Sequence, residues 1–268
     1  MIVALVFLLV AAIPKSTADS DKYCQSDSCP DSRLKNVGCG CTAATYGPQC
    51  KDRNARKTNL DGRLKTFLLD KHNTARSLLA CGSVKPHPAA AKMIELNWND
   101  ELELLADCNT MKCVYGHDPC RSTGEFPFAG QNIASKLVCG KTPLGVEQMI
   151  ADSVDVWFQE HRNTTPSMTD SFPQGKVPGG PIGHFTLLVN DMVERIGCSY
   201  ITYQEQQQRG KKRTCQRHYL VCNYSYSNFV GEKTYTKSRQ HPAEQCYFRS
   251  SKHSCLCSSS KSSGSNSK

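Results

Sequence analysis

The segment Gly183-His184-Phe185-Thr186-Leu187-Leu188-Val189 decides how the rest of the chain is read. Its apolar residues are nearly continuous, with one imidazole near the start. A short apolar run of this kind reads as a buried strand over 184–189. About thirty residues later comes Tyr219-Leu220-Val221-Cys222-Asn223-Tyr224, a second strand with a cysteine and an amide inside it. Read together, the two make His184 a candidate functional residue.

Working outward, Val193–Tyr203 reads as another strand. A basic, glutamine-rich loop joins it to a strand over His218–Tyr224, as in a long hairpin. Upstream the periodicity changes. Leu60, Leu64, Phe67, Leu68, Ala75, Leu78 and Leu79 recur at three- and four-residue steps, so this stretch reads as a helix ending at Gly82. Asn97 or Asn99 caps a second helix through Leu102, Leu105, Ala106 and Asn109. Val146, Met149, Ile150, Ser153, Val154, Trp157 and Phe158 form a third helical stripe, ending near Glu160. Ala129–Ala134 reads as the start of a short helix and 163–181 as loop. Helices first and strands last argue for an α+β layered domain rather than alternating βαβ units.

The chain opens with an apolar run, Ile2 to Ile13, followed by Ser16-Thr17-Ala18. About 12 apolar residues are too few to span a bilayer, which needs about 20, so residues 1–18 read as a secretory signal peptide. Cleavage there leaves about 250 of the 268 residues. No later segment is long and apolar enough for a membrane helix. All sixteen cysteines lie beyond the signal, and an even count in an exported chain argues for disulfides. Zinc–thiolate knuckles are disfavoured: the only tight spacings are Cys39-Gly40-Cys41 and Cys255-Leu256-Cys257. Residues 19–57 are polar and cysteine-rich and cannot bury a core of their own. Residues 58–236 carry the helices and strands. Residues 237–268 form a basic, cysteine-containing tail ending in a Ser/Gly/Lys string read as disordered.

Formal net charge is +9, or +8 once Lys15 leaves with the signal. Arg209, Lys211, Lys212 and Arg213 concentrate positive charge in the hairpin loop. Lys233–Lys268 holds seven Lys/Arg against Glu244 alone. Heparan-like polyanions or anionic membranes are the partners such patches fit, against the simpler reading of a solvated loop and tail. Nucleic acid is set aside, because no binding module is recognisable.

Several segments now match one pattern. Gly183-His184-Phe185-Thr186 and Leu220-Val221-Cys222-Asn223-Tyr224 resemble the two signatures of the CAP superfamily, which holds cysteine-rich secretory proteins, antigen 5 venom allergens and plant pathogenesis-related proteins. His72-Asn73-x-x-Arg76, Cys113-x-x-Gly116-His117-Asp118-x-Cys120-Arg121 and Gly130-Gln131-Asn132 fit it too. The resemblance is nearest to insect antigen 5-like proteins of venom and saliva. It implies a three-layer α-β-α sandwich around a mainly antiparallel sheet. It also implies disulfides Cys29–Cys120, Cys50–Cys113 and Cys198–Cys222, with Cys24 going to Cys39 or Cys41. Eight cysteines have no partner in the pattern. Leu187 and Asn190 stand where the first signature has Gln and Trp. Ser225-Tyr226-Ser227-Asn228 departs from the second, which has Pro and an extra Gly.

The resemblance places His117, Gln131, Glu160 and His184 around a central cleft. Two imidazoles facing one cleft suit a weakly held Zn²⁺ or Cu²⁺, with Glu160 orienting or completing the shell; no cofactor is required. Gln131 is a poor ligand and cannot act as a general base. It therefore removes the acid pair that carboxylate hydrolysis needs. Neither a Gly-x-Ser-x-Gly elbow nor a His-Glu-x-x-His helix is present. The alternative is a hydrogen-bonded cluster holding loops to the sheet. The family also implies an apolar lipid channel, for which Met149, Ile150 and Phe158 are candidates against a plain core role. His72 and Arg76 read as structural. Asn163 heads a glycosylation sequon in a loop, while Asn223-Tyr224-Ser225 is expected to stay unmodified. The expected protein is a secreted, monomeric, non-enzymatic sequestering protein for a small lipid, a divalent metal or a host extracellular protein. A polyanion-binding module is the alternative, and a metal-dependent enzyme the third reading.

Overall fold

The computed structural model describes residues 21–42, 44–140, 144–207 and 213–258. The signal-like segment, Arg209, Lys211, Lys212 and the Ser/Gly/Lys string from 259 onward lie outside these residues. Along the described chain run β1 (Arg56–Thr58), α1 (Gly62–Ala80), β2 (Asn97–Trp98), α2 (Asp100–Thr110), β3 (Gly130–Val138), α3 (Val146–Gln159), α4 (Pro166–Asp170), α5 (Gly183–Leu188), β4 (Arg195–Gln207) and β5 (Arg213–Tyr224). The sheet order is β1-β4-β5-β3, all antiparallel, with β2 adding a short parallel pairing to β4.

Two-residue alternation along β4 and β5 builds the three layers. Ile196, Cys198, Tyr200, Leu220, Cys222 and Tyr224 face one side and pack against α1, α3 and α5. Ile201, Tyr203, Tyr219 and Val221 face the other, against Ala106 of α2 and the stapled Cys50–Cys113 pair. This is the α-β-α sandwich. Gly197 lies on the α2 side, where a Cβ would come within 2.1 Å of Glu103 N and 2.6 Å of Asn99 O. Only a glycine lets the first turn of α2 sit so close to the sheet. Asp61 caps α1 through Leu64 N at 2.9 Å, and Asn99, one of the two expected caps, starts α2 through Leu102 N at 2.8 Å.

Four expectations are corrected. Residues 184–189 form no strand; they lie in and just after helix α5. An apolar run this short does not separate helix from strand. Here Glu160 Oε2 accepts from His184 N at 2.8 Å and Phe185 N at 3.2 Å, which caps a helix start. Ala129–Ala134 begins no helix but leads into β3, which pairs with β5 from Gly130↔Tyr224 to Val138↔Gln216. That ladder is non-local and invisible to local propensity. Within the expected 163–181 loop, Thr165 caps the short helix α4 through Met168 N. The hairpin strands also run further than expected, pairing as far as Gln207↔Arg213. The Arg217–Glu205 ion pair and the Cys139–Cys215 bridge hold that extension.

All sixteen cysteines are paired. The three bridges implied by the resemblance are present, and Cys24 takes Cys39. Of the others, Cys41–Cys108 ties the N-terminal segment to α2, Cys81–Cys255 ties the tail to the end of α1, and Cys246–Cys257 closes the tail on itself. Staples of this kind contribute about 2–4 kcal/mol each.

Beneath α5 lies Arg76, fully buried. Its guanidinium donates to Ile94 O (3.1 and 2.8 Å), Leu188 O (2.8 Å), Asn190 O (2.9 Å) and Val193 O (3.0 Å). Burial lowers its pKa to about 9, which leaves it protonated at neutral pH. One turn earlier, His72 Nδ1 donates to Leu68 O at 2.7 Å, so Nε2 accepts from Tyr224 OH at 2.9 Å. Both residues bind the scaffold together.

Arg76→Met keeps much of the volume and removes every donor. With four backbone carbonyls losing a charged partner, unfolding stability should fall by about 4 kcal/mol or more, read from urea midpoints. A loss below about 1 kcal/mol would show that those carbonyls find other donors. Burial also lowers His72 to about 4, from 6.5 in an open chain. Between these values the unfolded chain binds a proton that the folded chain refuses. Stability therefore falls as pH drops through that window, by about 3 kcal/mol, and levels off below the folded value. His72→Asn should flatten this slope; an unchanged slope would assign it to other histidines.

Candidate functional site

The four cleft positions come together in space, but as two separate pairs. Glu160, the residue after α3, is buried. Its Oε1 accepts from His184 Nδ1 at 2.6 Å, while Oε2 holds the two α5 amides. His184 stacks on Trp157 of α3, with ring centroids 6.0 Å apart and planes inclined by 16°. Carboxylate and indole together fix both the tautomer and the plane of this imidazole. Its remaining nitrogen, Nε2, is then the basic one.

His117 is held from the other wall. Gln131, near the start of β3, donates through Nε2 to Asp118 Oδ2 at 2.7 Å and to Asn223 Oδ1 at 2.9 Å. Its Oε1 must then accept from His117 Nδ1, at 2.8 Å. Asp118 also accepts from Asn109 Nδ2 at 2.8 Å and from Arg121 Nε at 2.7 Å. Asn109 Oδ1 in turn accepts from Tyr219 OH at 2.7 Å. The partial burial of the His117 ring, which still reaches solvent, lowers its pKa; the Gln131 bond opposes that shift, and the nearby Arg121 charge adds to it. The neutral ring with Nε2 unprotonated is the form this environment favours.

Both histidines thus have Nδ1 engaged and Nε2 as the free nitrogen. They line a cleft of about 370 Å³ with Gln131, Asn132, Leu187 and Asn228. Leu187 forms part of its floor, against Gly130, where a Cβ would lie 2.9 Å from Leu187 Cδ1 and 2.5 Å from Tyr226 O. Asn228 donates to Gly183 O at 3.0 Å and Thr186 Oγ1 at 2.9 Å, tying the second motif to α5. Asn132 donates to His184 O at 3.1 Å and to Tyr224 OH at 3.3 Å, linking the cleft to His72. Larger clefts of about 560 and 540 Å³ open at the far end of the β4–β5 ribbon, and neither contains His117 or His184.

As metal ligands the two imidazoles stand alone. Glu160 spends its oxygens on His184 and on backbone amides, and Gln131 spends its amide on Asp118 and Asn223. Among the described residues no group of three or more His, Cys, Asp or Glu is placed to hold an ion. Sequence reading missed Asp118, Asn109 and Asn223 as supports of His117. The first and last sat inside quoted motifs, but their alignment depends on β3 pairing with β5.

The remaining candidates fall elsewhere. Met149 and Ile150 lie on the buried face of α3, in the main core. Phe158 borders a groove of about 310 Å³ between α1 and α3, with Phe67, Ala75, Leu78 and Lys71. Asn163 is half-buried and donates to Pro181 O at 3.0 Å, whereas Asn223 is fully buried. Arg213 is exposed and bonds Gln207.

Comparison with known proteins agrees with the motifs. The model of the cysteine-rich secretory protein family, CAP, matches residues 69–224. "Venom allergen-1" of Aedes aegypti is 37% identical over 215 residues, covering 80% of this chain and 79% of its own. "Antigen 5 like allergen Cul n 1" of Culicoides nubeculosus is 32% identical over 206 residues, covering 75% and 90%. Among solved structures, NaASP2 with Zn²⁺ is 25% identical with a TM-score of 0.57, covering 74% of this chain and 96% of that one.

Gln131→Glu tests the relay behind His117. A second carboxylate there loses the donors to Asp118 and Asn223 and faces like charge. Stability should drop by about 1–3 kcal/mol at neutral pH. The loss should shrink on acidification, because protonation of the pair relieves it. A variant as stable as the parent at neutral pH would contradict the assigned amide orientation.

Proposed function

This chain belongs to the CAP family of cysteine-rich secretory proteins, and on that premise we propose that it is an exported, non-catalytic sequestering protein whose cleft takes up a divalent metal ion. The pair of Nε2 nitrogens at the cleft carries the reading. Each is left basic because the same ring's Nδ1 is bound to a fixed partner, Gln131 or Glu160. Neutral imidazole suits Zn²⁺ and Cu²⁺. Two protein ligands leave the rest of a tetrahedral shell to water or to a ligand brought from outside, which argues for weak, reversible binding. The related NaASP2 was solved with Zn²⁺. Eight disulfides and relatives named as venom allergens support an extracellular setting. Against catalysis stand Gln131, which supplies neither acid nor base, and Glu160, which is committed to holding α5.

A second ligand class rests on the groove between α1 and α3. Phe67, Ala75, Leu78 and Phe158 give it an apolar wall, and Lys71, Asp70 and Asp155 form its polar edge. That combination suits a small amphipathic lipid.

Calorimetric titration of Zn²⁺ into chelator-treated protein tests the metal reading. We expect one weak site, lost on His184→Ala and on His117→Ala, and weakening as pH falls and protons compete for the two rings. Binding that survives both replacements would remove the cleft as the site.

A further inference from the structure

The tail beyond β5 ends in a feature that the cleft and the groove leave unexplained. Tyr247 is 87% exposed and Phe248 37% exposed. Their rings pack edge-to-face, with centroids 4.6 Å apart and planes at 89°. The pair stands on a rigid base. Cys246–Cys257 closes the loop, Arg249 bridges to Cys257, and Ser258 N donates to Phe248 O at 2.8 Å. Cys255 is bonded to Cys81, and Leu256 is fully buried in the main core. The fold therefore holds two adjacent aromatic rings out in water on a stapled loop.

The surroundings are cationic. Arg239, Arg249 and Lys252 are exposed near the rings in sequence. The one acid of the tail, Glu244, accepts from the backbone N–H groups of Arg239 at 2.7 Å and Gln240 at 3.0 Å, so it is occupied locally. Lys252 reaches Asp70, an acid on the edge of the α1–α3 groove, in an exposed pair that salt screens.

We propose that this tip is a peripheral docking element for an anionic lipid surface. Aromatic rings settle at the headgroup level of a bilayer, where an apolar body meets a polar boundary. Exposed arginine and lysine in the same stapled tail add attraction to anionic headgroups that falls off within a Debye length. A sulfated polysaccharide is held chiefly through the cations, whereas two projecting rings gain most at the headgroup boundary, which favours the bilayer.

Sedimentation with phosphatidylcholine vesicles, with and without phosphatidylserine, tests this. Full-length protein should bind only the vesicles containing phosphatidylserine, and binding should weaken with added salt. Tyr247→Ser with Phe248→Ser should lower partitioning about tenfold or more, and Arg239→Gln about fivefold. Thermal unfolding of each variant confirms that the fold is intact. The proposal is overturned if no vesicle binds, if neutral and anionic vesicles bind alike, or if the double variant binds as the parent does. It is equally overturned if Arg239→Gln releases the protein from heparin while no vesicle retains it.

Discussion

A six-residue helix has no claim to stability by itself, because nucleating a helical turn is unfavourable and too few bonds follow. Helix α5 exists because opposite charges hold its two ends. Glu160 places a carboxylate on the amides of His184 and Phe185 at the start. Arg76 places a guanidinium on the carbonyls of Leu188 and Asn190 at the finish. Both charges agree with the helix dipole. The same guanidinium reaches Ile94 and Val193, so the strand-to-helix layering and the cleft share one buried cation. His184 is presented to the cleft by this clamp and aimed by the same carboxylate that forms it.

The layers were legible in sequence where periodicity alone determines them. Helices α1 and α3 carry three- and four-residue apolar stripes, and α1 and α2 also have good caps. The alternation in β4 and β5 shows which side chains enter each layer. Two elements were not legible, for related reasons. In α5 every residue from Phe185 to Val189 is buried, so no polar face marks the period, and the cap arrives from a residue more than twenty positions upstream. In β3 the local residues permit a helix, and only the ladder to β5 decides otherwise. Motif resemblance carried the family and three of the bridges. The remaining pairings follow from the fold, because cysteine spacing does not select partners.

The site shows the same division. His117, Gln131, Glu160 and His184 were readable as positions around one cleft. Their chemistry depended on partners that sequence distance hid. Gln131 looked like a lost acid. In the structure its amide is a joint: it donates to Asp118 and Asn223 and so turns its carbonyl toward His117. The acid lies one step further back, at Asp118, which is buried and bound to Arg121 and Asn109. This arrangement orients an imidazole without placing a carboxylate in the cleft, which fits holding a ligand better than moving a proton.

Sequestration is the central claim, and native mass spectrometry of the protein purified gently from its natural source tests that claim most directly. The account predicts a mass above that of the disulfide-bonded chain and its covalent modifications, resolved into a metal or a small lipid that leaves on acidification or mild activation. A bare chain that takes up neither Zn²⁺, Cu²⁺ nor fatty acid when these are supplied would contradict it.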